Sequence, residues 1–284
     1  MADAASMEII EDIRQSKAYG KFIEDIGWKT LITPKTHVQV FVRRLGPVGL
    51  MKVQRYPKTP DFSELTDLFH NEKIFMCKLE PKETVSLKET EAVKKKGFKI
   101  SNWPLLGTKT LRVDINQEER TIFDSFKKDC RYCIKKAQSS NGLKINKNDY
   151  EQFYWIWKKS AARKKLWIPP YREYQMLINR FGNGAFCLTV NGEAGTTILT
   201  NKNAAFYYYA GATAEGTKRN FPYLVVWEAM REAKKHGCKV WDFEGIYDHR
   251  WPNKGWLGFT HFKSSFGGTE VEFPGSMEKW RWPI

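Results

Sequence analysis

Apolar and polar positions along this chain alternate with two periods, and the switches between them mark out its elements. WKTLI, HVQVFVRRL, LMKVQRY and IFMCKLEP alternate or run apolar over strand lengths between Trp28 and Pro81. DFSELTDLFHNE interrupts them with helical spacing, and Asp61 or Ser63 can cap that helix. Upstream, Ile9, Ile10, Ile13, Phe22, Ile23 and Ile26 fit two short helices broken around Gln15 to Ala18, while residues 1–7 read as disordered. VSLKETEAVKKKGF predicts a helix ending at Gly97, ISNWPLLG a loop, and TKTLRVDI a strand ending at Asp114. One helix is expected from Gln117 through FDSFKKDCRYCIKKAQ, closed by Gly142, and LKIN then opens a second domain.

The second half repeats the alternation. YEQFYWIWKKSAARKKLW predicts an amphipathic basic helix with Phe153, Trp157 and Trp167 turned inward. A helix REYQMLINRF and strands AFCLTVN, GTTILTN and AFYYYAGA follow, with a hairpin signal at Asn191-Gly192. Strict alternation along the last strand puts Tyr207 and Tyr209 on one face. Pro222 suits the first turn of a helix from Tyr223 to His236, ended by Gly237. VWDF reads as a short buried strand. GIYDHRWPNKGWLG is too rich in Gly, Pro and Asn to be regular, and an aromatic run from Phe259 to Phe266 stops at Gly267-Gly268.

Composition narrows the class. The 284 residues are 42% hydrophobic and 14% aromatic, enough for a large core and for one large or two medium domains. Lysine and arginine exceed the acids, 47 against 32, for a formal charge of +15 spread along the chain. Such a field attracts polyanions: RNA, diphosphates or an anionic membrane surface. The five cysteines, Cys77, Cys130, Cys133, Cys187 and Cys238, show no framework spacing, which favours a reducing compartment. Cys130 and Cys133 form a lone C-x-x-C with no second ligand pair at a zinc-site distance, so no metal is expected. No apolar run reaches membrane-spanning length and the N-terminus lacks signal-peptide regions, so the expectation is a cytoplasmic protein touching a membrane only at its surface.

Two positions invite chemistry. Lys263 is a cation set between aromatic flanks and a turn, either a charge stabiliser or a solvated lysine on an edge strand. Asp114 either caps the helix begun at Gln117 or ends its strand at an active site. Lys127, Lys128, Arg131, Lys135 and Lys136 form a basic helix surface, solvated or phosphate-binding. Of the histidines only His261 lies beside Lys263 in sequence.

The pattern DF-x-GI, a loop, then FK-x-x-FGG resembles the C-terminal signature of the FemX/FemAB family, the tRNA-dependent aminoacyltransferases of peptidoglycan cross-bridges. QSKAYGKFIEDIGW, FKKDCRYCIKKAQ and AFYYYAGATAEGTKRNFPYLVVWEAMREAKKHG fit the same family in the same order. The resemblance implies an α/β (α+β) fold of two acetyltransferase-like (GNAT-type) subdomains with mixed sheets and no coiled-coil insertion. It assigns residues 7–146 plus 269–284 to an acceptor-side subdomain and 147–268 to a catalytic one. By the same resemblance Lys263 and its neighbour Phe262 are catalytic, Asp114 is a candidate base, and Lys21, Arg163, Tyr207, Tyr209 and Arg219 bind substrate. No tyrosine partner for Arg163 can be placed, since Trp167 stands at the helical spacing and Tyr171 follows Pro169-Pro170.

The implied co-substrate is aminoacyl-tRNA, with no cofactor. The implied acceptor is a peptidoglycan precursor, lipid II or UDP-MurNAc-pentapeptide, with peripheral contact at the inner membrane surface. One local feature agrees: a coenzyme A-dependent acetyltransferase cradles pyrophosphate on a glycine-rich turn, whereas Arg219-Asn220-Phe221-Pro222-Tyr223 has no glycine and lacks one N–H at Pro222. A different N-acyltransferase of this fold, or a non-catalytic RNA-binding protein, are the alternatives.

Overall fold

The structure, a computed structural model, describes residues 10–281, so the expected disorder of residues 1–7 lies outside it. A 3₁₀ turn at Ile13–Gln15 leads into α1 (Lys17–Asp25), β1 (Lys29–Ile32), β2 (Gln39–Leu45), β3 (Val48–Tyr56), α2 (Phe62–Asn71), β4 (Ile74–Pro81), α3 (Leu87–Lys95) and β5 (Lys99–Ile100). The chain continues through β6 (Lys109–Asp114), α4 (Glu119–Ser125), α5 (Lys128–Gln138), β7 (Ile145–Lys147), α6 (Tyr150–Arg163) and α7 (Tyr171–Phe181). Next are β8 (Ala185–Val190), β9 (Ala194–Asn201), β10 (Ala204–Ala212), α8 (Ala214–Lys218), α9 (Phe221–Lys235) and β11 (Val240–Asp242). α10 (Leu257–Ser264), β12 (Thr269–Glu272) and β13 (Met277–Trp280) complete it. The fold is mixed α/β with two sheets, as expected.

The residues form two compact units. One comprises Asp12–Thr110, Gly245–Trp256 and the stretch from Val271 onward; the other comprises the residues up to Glu11, Leu111–Glu244 and Leu257–Glu270. This division, at 110/111, differs from the 146/147 boundary expected from sequence, because the chain from Leu111 onward already belongs with the second sheet.

In the first unit the strand order is β1-β2-β3-β4-β13-β5. Val40, Val42, Met51, Val53, Cys77 and Leu79 face one way and pack on Leu65 and Phe69 of α2 and Val93 of α3. The helices start where their caps dictate: Asp61 accepts from Ser63 N, and Ser86 and Glu89 form a capping box. The alternate positions Gln39, Gln54, Lys78 and Glu80 are polar yet buried. The charges of Lys78 and Glu80 are met by the segment after β5. Lys78 Nζ donates to Ser101 Oγ at 2.8 Å and also to the Trp103 carbonyl, while Glu80 Oε1 accepts from Leu105 N at 2.6 Å and Leu106 N at 3.0 Å.

The second unit has the order β12-β6-β11-β10-β9-β8-β7. Its expected single helix after Gln117 is two. Phe126 is extended, φ −70° and ψ 150°, because its ring is buried against Trp227 and Phe266, and Lys127 N bonds Ser265 O at 2.8 Å instead of continuing a helix. The run from Phe259 is helix α10 rather than an edge strand. Phe153 and Trp157 of α6 are buried as expected, but Trp167 is 81% exposed because α6 ends at Arg163 and the chain turns before the tryptophan.

A buried ion pair joins β6 to β11, Arg112 Nε to Asp242 Oδ2 at 2.8 Å. Arg112→Met leaves Asp242 buried without its principal counter-charge. Urea titration is expected to show a loss of about 3–5 kcal/mol in unfolding free energy; a loss below about 1 kcal/mol, typical of a surface pair, would contradict this role.

Candidate active site

The parallel pairing of β10 with β11 lasts only from Ala204↔Val240 to Phe206↔Asp242. Beyond it β10 runs on to Ala212, and its register against β9 slips: Tyr207 faces Ile198 but Tyr209 faces Thr197, so Tyr208 is an extra residue in a β-bulge. The bulge bends β10 and ends the ladder. Phe243, the residue after β11, still donates its N–H to Leu111 O at 3.0 Å on the β6 side. Its carbonyl, past the last rung with β10, accepts from Lys263 Nζ at 2.8 Å.

Lys263 arrives from the last turn of α10, where a cation also suits the helix dipole. Its ammonium lies 5.9 Å from the Tyr207 ring centroid. Burial is the largest influence on it and pushes its pKa down to about 8; the nearby Glu244 and Asp242 carboxylates only partly oppose this. Burial likewise pushes the Tyr207 phenol up, keeping it neutral. Asp242 Oδ1 accepts from Glu244 N at 2.8 Å, and Glu244 takes a left-handed backbone, φ +63°, that turns the chain away immediately after Phe243.

The FK-x-x-FGG sequence fixes that helix end. Phe262 meets Tyr223 of α9 edge-on at 4.9 Å, and Phe266 is enclosed by Phe126, Tyr223 and Phe243. Gly267 and Gly268 have φ of +70° and +93°. A Cβ on Gly268 would stand 2.4 Å from Arg112 O, so only glycine lets the chain lie against β6 here.

The structure therefore brings Lys263 and Tyr207 together, while the Phe262 ring packs on Tyr223 and Phe266. It separates Tyr209 from Tyr207, contrary to the alternation expected, because the bulge puts their β9 partners at consecutive positions and hence on opposite faces. Tyr209 stacks on Trp157 of α6 at 4.0 Å, and Arg163, exposed at the end of α6, donates to Ala212 O at 3.2 Å. Arg219 lies over the Phe221 ring, 4.5 Å from its centroid, beside the start of α9. Lys21 is exposed on α1 in the first unit.

Asp114 does not cap the helix that follows it. It pairs with Val240, at the end of β11 away from Phe243, roughly 10 Å along the strand by the ordinary rise per residue. It accepts from Asn116 N at 2.8 Å and Gln117 Nε2 at 3.0 Å, closing a turn, while the N-cap of α4 is Glu118. What sequence reasoning missed is the Phe243 carbonyl, whose exposure depends on a bulge that leaves no composition signal.

The first unit holds a cavity of about 600 Å³ between residues 102–108 and 246–256. Trp103, Leu105, Tyr247, Trp251 and Trp256 line it, and its walls are tied down: Trp251 Nε1 donates to Ser101 O at 2.7 Å and Asp248 accepts from Thr108 Oγ1 at 2.7 Å. Hydrogen bonds from Arg250 and Thr108 hold the Asp248 carboxyl down at about 2 against the effect of its burial. No group of three or more metal-ligating side chains occurs among the described residues.

Comparison with known proteins gives three results. Residues 192–283 match the FemAB family, a span that includes Tyr207, Lys263 and the two glycines. No curated protein matches by sequence. Among solved structures, FemX superposes with a TM-score of 0.78 at 13% identity, covering 95% of this chain and 92% of that one. The C-terminal domain of a putative lysylphosphatidylglycerol synthetase from Agrobacterium fabrum gives 0.59 at 8%, covering 93% and 88%. A tandem GNAT protein from the clavulanic acid biosynthesis pathway gives 0.55 at 8%, covering 87% and 80%. The family match thus covers the C-terminal part of the chain, and the superpositions show a shared fold.

A desolvated cation opposes folding where an apolar side chain of similar length would not. Lys263→Met is expected to unfold at the same or a higher urea midpoint than the parent, and a lower midpoint would show that the ammonium is a net structural tie. Gly268→Ala should lower the midpoint, with a loss of more than about 1 kcal/mol in unfolding free energy; an unchanged midpoint would refute the close approach to β6.

Proposed function

We propose that this chain transfers an amino acid from aminoacyl-tRNA to the side-chain amine of a peptidoglycan precursor's stem peptide, forming an interpeptide bridge. The observation that carries this reading is the Lys263 ammonium, held by a peptide carbonyl among aromatic rings in the stretch that matches the FemAB family. The lack of a glycine cradle at Arg219–Tyr223, where Pro222 occupies the first turn of α9, supports an RNA-borne donor over a coenzyme A thioester. Such a reaction belongs on the cytoplasmic side and uses aminoacyl-tRNA as co-substrate without a further cofactor.

The chemistry asks little of the protein. The donor is an ester, so the acceptor amine attacks its carbonyl directly, the C–N bond forms, and the C–O bond to the ribose breaks. The amine gives up a proton and the departing ribose oxygen gains one. Between these events the carbonyl oxygen carries negative charge, and a cation fixed beforehand in a poorly solvated setting stabilises it without reorganising. Lys263 fits that role. Tyr207 and the Phe243 ring packed against it set the low-dielectric surroundings that strengthen the interaction, and Phe262 anchors the helix that carries the lysine.

The test is transfer of a labelled amino acid from a mixed pool of charged tRNAs to nucleotide-linked and to lipid-linked muramyl pentapeptide. Lys263→Met is expected to lower the rate by about 10²–10³-fold. Equal rates would remove the lysine from the mechanism, and tRNA binding with no transfer to either acceptor would favour the RNA-binding alternative.

The pH dependence follows from the depressed pKa. Lys263 is charged below about 8 and neutral above it, so stabilisation of the oxyanion is lost as pH rises through that value. The acceptor amine, with an ordinary pKa of about 10.4, becomes more nucleophilic over the same range. The rate should therefore rise to a maximum near the Lys263 pKa and level off or fall beyond it. In an active Lys263→Arg variant, whose guanidinium stays charged, the alkaline limit should disappear. A profile that keeps rising with the same slope in both proteins would exclude the lysine's charge from the rate.

A further inference from the structure

The end of α6 is built to hold two apolar side chains out in water. Leu166 N bonds Ala161 O at 2.9 Å and Lys165 N bonds Ala162 O at 3.1 Å, the crossed pair that ends a helix in a Schellman turn. The residue such a turn places in the left-handed region is usually glycine; here it is Lys165, φ +54°. On the far side the Tyr154 hydroxyl, buried under the helix, donates to Pro169 O at 3.1 Å. The loop is thus pinned at both ends. Yet Leu166, in the position that normally packs back on its helix, is 54% exposed, and Trp167 is 81% exposed.

The surroundings are of one charge sign. Residues 152–172 contain no carboxylate, and Lys158, Lys159, Arg163, Lys164, Lys165 and Arg172 are all exposed there. Lys164 Nζ lies 4.5 Å from the Phe259 ring centroid, which joins this loop to the start of α10, where Leu257 and Phe259 are also exposed. Lysines laid along aromatic rings keep their ammonium groups in water while their stems cover apolar surface.

We infer that this face docks on an anionic membrane surface, with Leu166 and Trp167 entering the headgroup layer and the lysines meeting lipid phosphates. Tryptophan is the side chain that favours the membrane interface, and lysine clusters are drawn to anionic leaflets. A single-stranded RNA would use the ring and the charges, but an exposed aliphatic residue offers no face for a base to stack on. A hydrocarbon boundary takes both side chains. Phe259 is one helical turn before Lys263 on α10, so docking would hold the candidate catalytic lysine close to the bilayer, where a lipid-linked acceptor is presented.

The experiment is co-sedimentation of the whole protein with vesicles of equal parts phosphatidylglycerol and phosphatidylcholine, against vesicles of phosphatidylcholine alone. No tRNA or acceptor is present, so the outcome is independent of the transfer reaction. The parent is expected to bind the anionic vesicles only, with affinity falling as salt rises. Leu166→Ser with Trp167→Ser, and separately Lys164→Glu with Lys165→Glu, should each weaken binding at least about tenfold. Since these side chains are exposed, their urea midpoints should match the parent's, which guards against misfolding. Failure of the parent to bind, or equal binding by parent and variants, would overturn the inference. So would variants that keep vesicle binding and lose affinity for uncharged tRNA, which would assign the face to RNA.

Discussion

The hydrogen bond from Lys263 Nζ to the Phe243 carbonyl exists because a sheet stops early. Had β10 stayed in register with β11 past Phe206, that carbonyl would belong to the ladder; the extra residue at Tyr208 ends the pairing and leaves an acceptor at the strand's end. The neighbouring features follow from keeping a lysine on it. Asp242, paired with Arg112, also holds the Glu244 N–H and so fixes the chain's departure after Phe243. Phe266 locks the end of α10 among aromatic rings, and Gly268 lets the chain lie on β6. A partly desolvated cation is unfavourable in itself, and the surrounding packing offsets it, as is usual where a site is kept ready for charge that appears only during reaction.

The sequence made the regular elements legible wherever period and cap agreed. β1 to β4, α2, α3 and α7 lie where alternation, the Asp61 cap and helical spacing put them. Trp167 is exposed because α6 stops short of it, whereas other misses come from surroundings overriding a local rule. Phe126 leaves the helix because its ring is worth more in the aromatic cluster; Tyr207 and Tyr209 part company because alternation presumes a strand without a bulge. The Phe259–Phe266 run is short enough to suit either periodicity, and only its packing on α9 makes it a helix. Lys263 was legible through its motif, whereas the reason for the motif's two glycines was not.

Buried charge and capped helix ends are used in this protein to order irregular backbone. Lys78, 1% exposed, and Glu80 fasten residues 101–106 so that Trp103 and Leu105 stay at the wall of a cavity. A crossed pair of backbone bonds does the same for residues 164–166. Neither segment would be expected to hold its shape from composition, and in both the ordering leaves apolar groups facing water. Orientation fixed in advance lowers the entropy lost when a ligand or surface is met.

β13 lies between β4 and β5, pairing with Leu79 through Met277 on one side and with Ile100 on the other. In sequence it is far from both neighbours, as in the Ser101 to Glu278 hydrogen bond, 177 positions apart, and β4 is farther still. During synthesis the strands and helices up to β5 therefore emerge long before the strand that joins them, and until it arrives β4 presents an open edge of the kind that invites pairing between chains. The polar face of β4, with Lys78 and Glu80 pointing where an apolar pair would otherwise sit, makes that waiting edge less adhesive. The same layout means that the first sheet cannot be obtained whole by cutting the chain at a boundary, since its fifth strand is translated after the entire second unit's core.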